Sequence, residues 1–398
     1  MALGWIDNSK SEKNKVLSVM ELLSEKGTLD ELGIAPVRDG FSNLFFPGNT
    51  TIQTRAKYFL IVPYAFKTLE SGNETNPDRM FRQLEEIEKS CCLRFLDNDP
   101  TEDGVIGSNT IRHGGWVRRS PSDIYWAGLK RYRIFDGLNL SISQYIDAIS
   151  KMKKEKSNTL KLGNRNDNSE ADGDDKNVEL SMKYNFWHIP TYKSNWQDDL
   201  KIELTEEEAT LLYDSIRETC SGSMLEFILS NKNADILLID RFQDLQNIKS
   251  IFPEEMQTDY TLAYQFAEFE YVLQIVYNMI ASDGNNERAN NEWEMLCPEL
   301  GEIADVDIVK IMTRLLINDP RLKMFLLESK KAMGTGDLDR LKMLITDREV
   351  VLKGLNRAKT KNPSSEYADS WFCGDKLGYR FSNIKRIIRD IFEGMGVC

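Results

Sequence analysis

Six Lys or Arg fall between Arg112 and Arg133 with a single acid, Asp123, in a chain whose net charge is −12. They are Arg112, Arg118, Arg119, Lys130, Arg131 and Arg133, interleaved with Trp116, Tyr125, Trp126 and Tyr132. Guanidinium groups beside aromatic rings suit a phosphate backbone and its stacked bases, so this stretch is the leading candidate for a polyanion site. Gly107, Gly114 and Gly115 put Arg118 and Arg119 on a flexible loop that enters a capped helix. The free N–H groups near Ser122 are expected to help cradle a phosphate there. Trp116, or Trp126 if exposed, is the expected stacking surface.

Arg55 and Lys57 sit at the start of a predicted helix, where positive charge opposes the macrodipole and requires an anionic partner, a carboxylate or an external anion. A second basic group near the C-terminus runs through Lys353, Arg357, Lys359, Lys361, Lys376, Arg380, Lys385, Arg386 and Arg389. Arg55, Arg380 and Arg386 complete the candidate nucleic-acid-binding set with Arg112, Arg118, Arg119, Lys130, Arg131 and Trp116. The set works as one site only if folding brings the two basic groups together.

Other chemistries fit less well. The only histidines, His113 and His188, have neither HExxH nor paired-Cys spacing, so no metal is expected. Asn168 through Glu179 imitates a calcium loop, with Asn at position one and the longer Glu170 at position three, and reads as an acidic linker. Gly334-Thr-Gly336 lacks a third glycine and a preceding strand, and no P-loop occurs, so no nucleotide cofactor is expected. Asp319-Pro320 with Glu328 and Lys330 has the residue content of a PD-ExK nuclease. But Pro320 opens a helix, and on a helix Glu328 and Lys330 point about 200° apart. The cysteines, Cys91, Cys92, Cys220, Cys297, Cys373 and Cys398, show no CxxC spacing and read as structural thiols of a reducing cytoplasm.

Positioning these residues falls to helices. At 398 residues, with 41% hydrophobic and 29% charged, two domains are expected. Capping boxes at Ser9/Glu12, Thr28/Glu31 and Thr205/Glu208 start helices; Gly33 and Pro36 are expected to end the second. Asn76-Pro77 opens a helix with Met80, Phe81, Leu84, Ile87 and Cys91 inward and Glu85, Glu86 and Glu88 outward. Thr51–Glu70 reads as a buried helix containing Pro63, and Ser122–Phe135 as another. Tyr260–Ile280 should lie at the centre of a second core, followed by helices over Asp307–Ile317, Pro320–Ala332, Asp337–Thr346 and Asn383–Phe392. Lys183–Ile189 is the best strand. The expected architecture is mainly α with a minor β element: a helical domain over 1–152, a disordered or loop-like linker over 153–180, and a second helical domain over 181–398. The longest apolar run, Tyr58–Phe66, spans nine residues, against about 18 for a membrane span, so no membrane association is expected.

Leu3-Gly-Trp-Ile-Asp7, Leu44-Phe-Phe-Pro-Gly48, Thr51-Ile-Gln-Thr-Arg-Ala-Lys-Tyr-Phe59, Pro121-Ser-Asp-Ile-Tyr-Trp126 and Gly378-Tyr-Arg-Phe381 together resemble an uncharacterised bacterial domain-of-unknown-function family. Such proteins resemble components encoded near phage-defence helicase and phospholipase D-like genes. The resemblance implies an accessory role near DNA and assigns no catalytic residue. The expectation is a cytoplasmic, non-catalytic accessory or adaptor protein whose basic face binds DNA, RNA or another polyanion, with operon-encoded protein partners. Two alternatives stay open: a protein-interaction module docking an acidic partner, and a metal-dependent enzyme with carboxylates gathered from positions such as Asp7, Asp30 and Asp39.

Overall fold

A computed structural model describes residues 30–137, 140–163 and 186–397. Among them are fifteen α-helices: α1 (Ala35–Phe45), α2 (Tyr58–Ser71), α3 (Pro77–Asn98), α4 (Ser108–Arg112), α5 (Pro121–Arg131), α6 (Ile142–Gly163), α7 (Glu206–Thr219), α8 (Met224–Ser230), α9 (Glu254–Ala281), α10 (Glu287–Leu296), α11 (Leu300–Ile303), α12 (Ile308–Arg314), α13 (Pro320–Gly334), α14 (Leu338–Lys353) and α15 (Phe381–Gly394). The expected β element reduces to one antiparallel bridge, Phe135 to Trp187. The Ser9/Glu12 box, the calcium-like run 168–179 and most of the expected linker lie outside the described residues.

The described residues form two compact units, one drawn from 1–41 and 249–379 and the other from 42–248 and 380–398. They interleave, so they do not part at the boundary expected over 153–180. The reason is α15. Its Ile384, Ile387, Ile388 and Ile391 are buried, and it packs on α7, which makes it part of the body formed by residues 42–248. The stretch 153–163 is also helical, the end of α6, as its Lys, Glu and Leu content favours.

In the first unit α9 is buried around most of its circumference and packs on α10 and α14, while α13 packs on α11, α12 and α14. Buried polar groups on α9 are matched in pairs. Asn278 accepts from Phe372 N–H at 2.7 Å and donates to Phe372 O at 3.1 Å. Tyr277 donates to Glu349 at 2.7 Å, and Glu349 also accepts from Thr360 N–H at 2.9 Å.

In the second unit α2 packs on α3 and α5, α3 on α6, and α7 on α8 and α15. The core is strongly aromatic: each of Phe66, Trp126, Phe135, Tyr145 and Trp187 sits within 4.6–6.0 Å, ring to ring, of at least three of the others. α2 starts at Tyr58, seven residues later than expected from Thr51. The backbone of 54–56 is held by other partners: Thr54 and Arg55 N–H donate to the Tyr125 hydroxyl, and Ala56 N–H donates to Asp390. Pro36 lies within α1 and does not end a helix; the Asp30 carboxylate accepts from Ile34 and Ala35 N–H just ahead of it.

Candidate polyanion-binding edge

Helix α5 carries the candidate segment. Ser120 caps it reciprocally with Asp123, and Pro121 occupies the first turn, where its missing N–H costs nothing. Gly128 lets the helix press onto its neighbours: a Cβ there would come within 2.6 Å of Gly48 O and 2.8 Å of Phe59. Ile124, Tyr125, Trp126 and Leu129 face inward. Trp126 is only 7% exposed and its indole N–H donates to Leu140 O at 3.0 Å. It is core and offers no stacking surface.

The start of α5 leaves no cradle for phosphate. Ser122 N–H donates to Glu88 at 2.7 Å, Asp123 N–H to Ser120 Oγ, and Ile124 N–H to Ser120 O. Glu88, expected outward on α3, is buried beneath this turn and accepts from the Ser122 N–H. Desolvation pushes its carboxyl up to about 8, outweighing the hydrogen bonds from Ser122 and Ser120, and Asp123 adds to the rise.

The basic side chains divide between the two ends of α5. Arg118 is exposed and Arg119 half-buried ahead of its cap, with Arg112 exposed at the end of α4. Lys130 is half-buried and Arg131 and Arg133 exposed at the far end. Eleven helical residues at roughly 1.5 Å each separate the groups by about 16 Å. Trp116 is half-buried between them and Gly107, with Lys89 at 6.0 Å from its ring.

Arg55 is a correction to the candidate set. It is 6% exposed, its Nε donates to both Asp390 oxygens at 3.0 and 3.1 Å, and its Nη1 reaches Glu102. A buried cation requires such partners, and the carboxylate option raised by its position is the one realised. Lys57 is matched likewise by Glu208 at 2.7 Å. Arg386 pairs with Asp103 and lies 3.9 Å from Glu102, and Arg380 donates to Asn43 Oδ1 and Asn49 O. Arg112 donates to Pro100 O in the same loop that Arg386 reaches. Arg386 therefore converges with Arg112, but on an acidic loop that neutralises it. Upstream, the second basic group belongs to the first unit, where Lys353 and Lys359 pair with Glu31 and Lys376 with Glu268.

Sequence reasoning missed an acidic groove of about 860 Å³ beside the far end of α5. It is lined by Tyr132, Arg133, Asp136, His188 and the α7 stripe Glu206, Glu207, Asp214 and Glu218. The only trace in the sequence is the near-helical spacing of those acids. Five carboxylates there repel phosphate.

Among the described residues no group of three or more His, Cys, Asp or Glu could hold a metal ion. Asp319 caps α13, on which Glu328 and Lys330 both lie; Glu328 pairs with Arg340 and Lys330 donates to Val306 O. Asp30 holds the turn before α1, and Asp7 lies outside the described residues. Burial pushes the Cys91 thiol up to about 12 and the Cys92 thiol to about 11, far from thiolate. No helix among the described residues is long and apolar enough to cross a membrane.

The fold and this edge define a mainly helical protein of two compact units, one of which carries arginines on an exposed loop. Residues 1–173 match a family of unknown function, DUF6361, as the resemblance to a domain-of-unknown-function family implied; the Gly378–Phe381 block lies outside the match. The match includes the whole Arg112–Arg133 segment. No curated protein and no solved structure matches the chain.

Proposed function

We propose that this is a non-catalytic accessory or adaptor protein that binds a polyanion, nucleic acid above all, through Arg112, Arg118 and Arg119. The observation that carries the reading is the exposure of Arg112 at the end of α4 and of Arg118 in the loop that follows, with Arg119 part-exposed next to Arg118, on a chain of net charge −12. Guanidinium forks match phosphate oxygens in pairs. Lys130 and Arg131 extend the contact only as far as the acidic groove permits. A cytoplasmic setting in a DNA-related system, phage defence in particular, rests on the family resemblance.

The test is fluorescence anisotropy with a short labelled DNA duplex, an RNA of the same sequence and a polyglutamate chain. Contact with three phosphates gives a log K against log salt slope of about −3. Arg112→Ala with Arg119→Ala should weaken nucleic-acid binding at least tenfold and flatten that slope. Unchanged affinity removes the site. Tighter binding of polyglutamate than of nucleic acid transfers the edge to an acidic protein partner.

A further inference from the structure

Two arginines from distant parts of the chain meet on one loop of the second unit, the loop that joins α3 to α4. Arg112, at the end of α4, donates to Pro100 O. Arg386, on α15, donates to Asp103 O at 3.2 Å and pairs with the Asp103 carboxylate. Three residues of chain leave the Cα atoms of Pro100 and Asp103 at most about 11 Å apart, so both guanidinium groups lie along the same short edge. Arg389 is exposed one turn further along α15, and residues three apart neighbour each other on a helix surface.

The loop is held from beneath. Thr54 donates to Gly104 O at 2.6 Å, and Arg55 donates to Asp103 O at 3.2 Å and reaches the Glu102 carboxylate. Asp99 closes the turn by accepting from the Thr101 N–H at 2.8 Å and hydroxyl at 2.7 Å. Glu102 is thus engaged by a core arginine and Asp99 by its own turn, whereas the Asp103 side chain points outward and is 81% exposed. The contrast with the Arg55–Asp390 pair is sharp: those side chains are 7% and 4% exposed. A buried pair cannot change partners without stranding a charge. An exposed pair contributes little to stability and can.

We propose that Asp103 is a built-in competitor of the polyanion and that Arg386 is a further phosphate-binding residue which it masks. The inference rests on the reading of Arg112, Arg118 and Arg119 as the polyanion edge, and it continues that edge across the loop onto α15. A guanidinium takes carboxylate and phosphate oxygens in the same two-pronged geometry, so Asp103 stands where a phosphate would stand. An isolated phosphate competes poorly with a carboxylate tethered beside Arg386. A polymer anchored at Arg112 presents its next phosphates to Arg386 at high effective concentration. Asp103 then turns into water, and the loop backbone stays on Thr54 and Arg55. The ligand class is therefore a polymer of closely spaced phosphates, as in a nucleic-acid strand.

The test is fluorescence anisotropy of the full chain with the labelled DNA duplex. Asp103→Asn keeps the size of the side chain and removes its charge. It should tighten binding at least threefold and steepen the log K against log salt slope by about one, with an unchanged urea midpoint. Adding Arg386→Ala to Asp103→Asn should abolish both gains. Asp97→Asn neutralises another exposed acid just before the loop and should leave the slope as it is. No gain with Asp103→Asn, a gain that survives Arg386→Ala, or an equal gain and slope with Asp97→Asn overturns the inference. In those cases wild-type binding that depends on Arg112 and Arg119 leaves the edge itself standing. If neither the wild type nor Asp103→Asn binds the duplex, the edge and the inference fall together.

Discussion

Replacing Glu88 by Gln should leave the second unit's stability almost unchanged in acid and raise it substantially in alkali. Glu88 is buried under the first turn of α5, where its carboxyl accepts from Ser122 N–H at 2.7 Å. Gln keeps that acceptor and loses the proton equilibrium. The carboxyl rises from an ordinary 4.5 to about 8, chiefly through desolvation, so the folded state holds its proton more tightly than the unfolded chain. The stability this contributes is fully present below 4.5 and is lost as pH rises through about 8. At roughly 1.36 kcal/mol per unit, the interval is worth on the order of 5 kcal/mol, comparable with the whole stability of a small domain. Ser120, Ser122 and Asp123 face the carboxyl and are unchanged by the substitution. Urea unfolding of the wild type and of Glu88→Gln at pH 5, 7 and 9, followed by tryptophan fluorescence, reads the difference directly. Equal differences at pH 5 and 9, or a less stable variant at pH 9, would refute the reasoning.

Asp390→Ala leaves Arg55 in the core with Glu102 as its one carboxylate partner, beside the Asp103 carbonyl, and costs the Ala56 N–H its acceptor. The expected loss is about 3–5 kcal/mol in urea unfolding, and Arg55→Met combined with Asp390→Leu should recover part of it. Leu316, just after α12, has φ 55°, so Leu316→Gly removes a left-handed leucine and should stabilise the first unit by about 1 kcal/mol, visible as a higher denaturation midpoint in urea.

Helix starts were legible because their chemistry is local. Asn76-Pro77, Thr205 with Glu208, and Asp319-Pro320 each place an acceptor within three residues of the N–H it satisfies, and each caps a helix as expected. The central position of Tyr260–Ile280 was legible too, since a helix apolar on every side has nowhere else to go. Misreadings came where a distant group intervened. Thr51–Lys57 has helical composition, yet Tyr125 and Asp390 hold its amides in another conformation. Glu88 follows an outward pattern in sequence but is drawn in by the amide of Ser122.

What the sequence determined by itself was the helical class, most helix starts, and the concentration of positive charge between Arg112 and Arg133. Only the tertiary structure decided which of those cations face solvent. Arg55 and Arg118 are equally cationic in sequence, but Asp390, 335 residues from Arg55, comes within 3.0 Å of its guanidinium. Charge is a property of composition, whereas its availability depends on which carboxylates the packed core brings alongside.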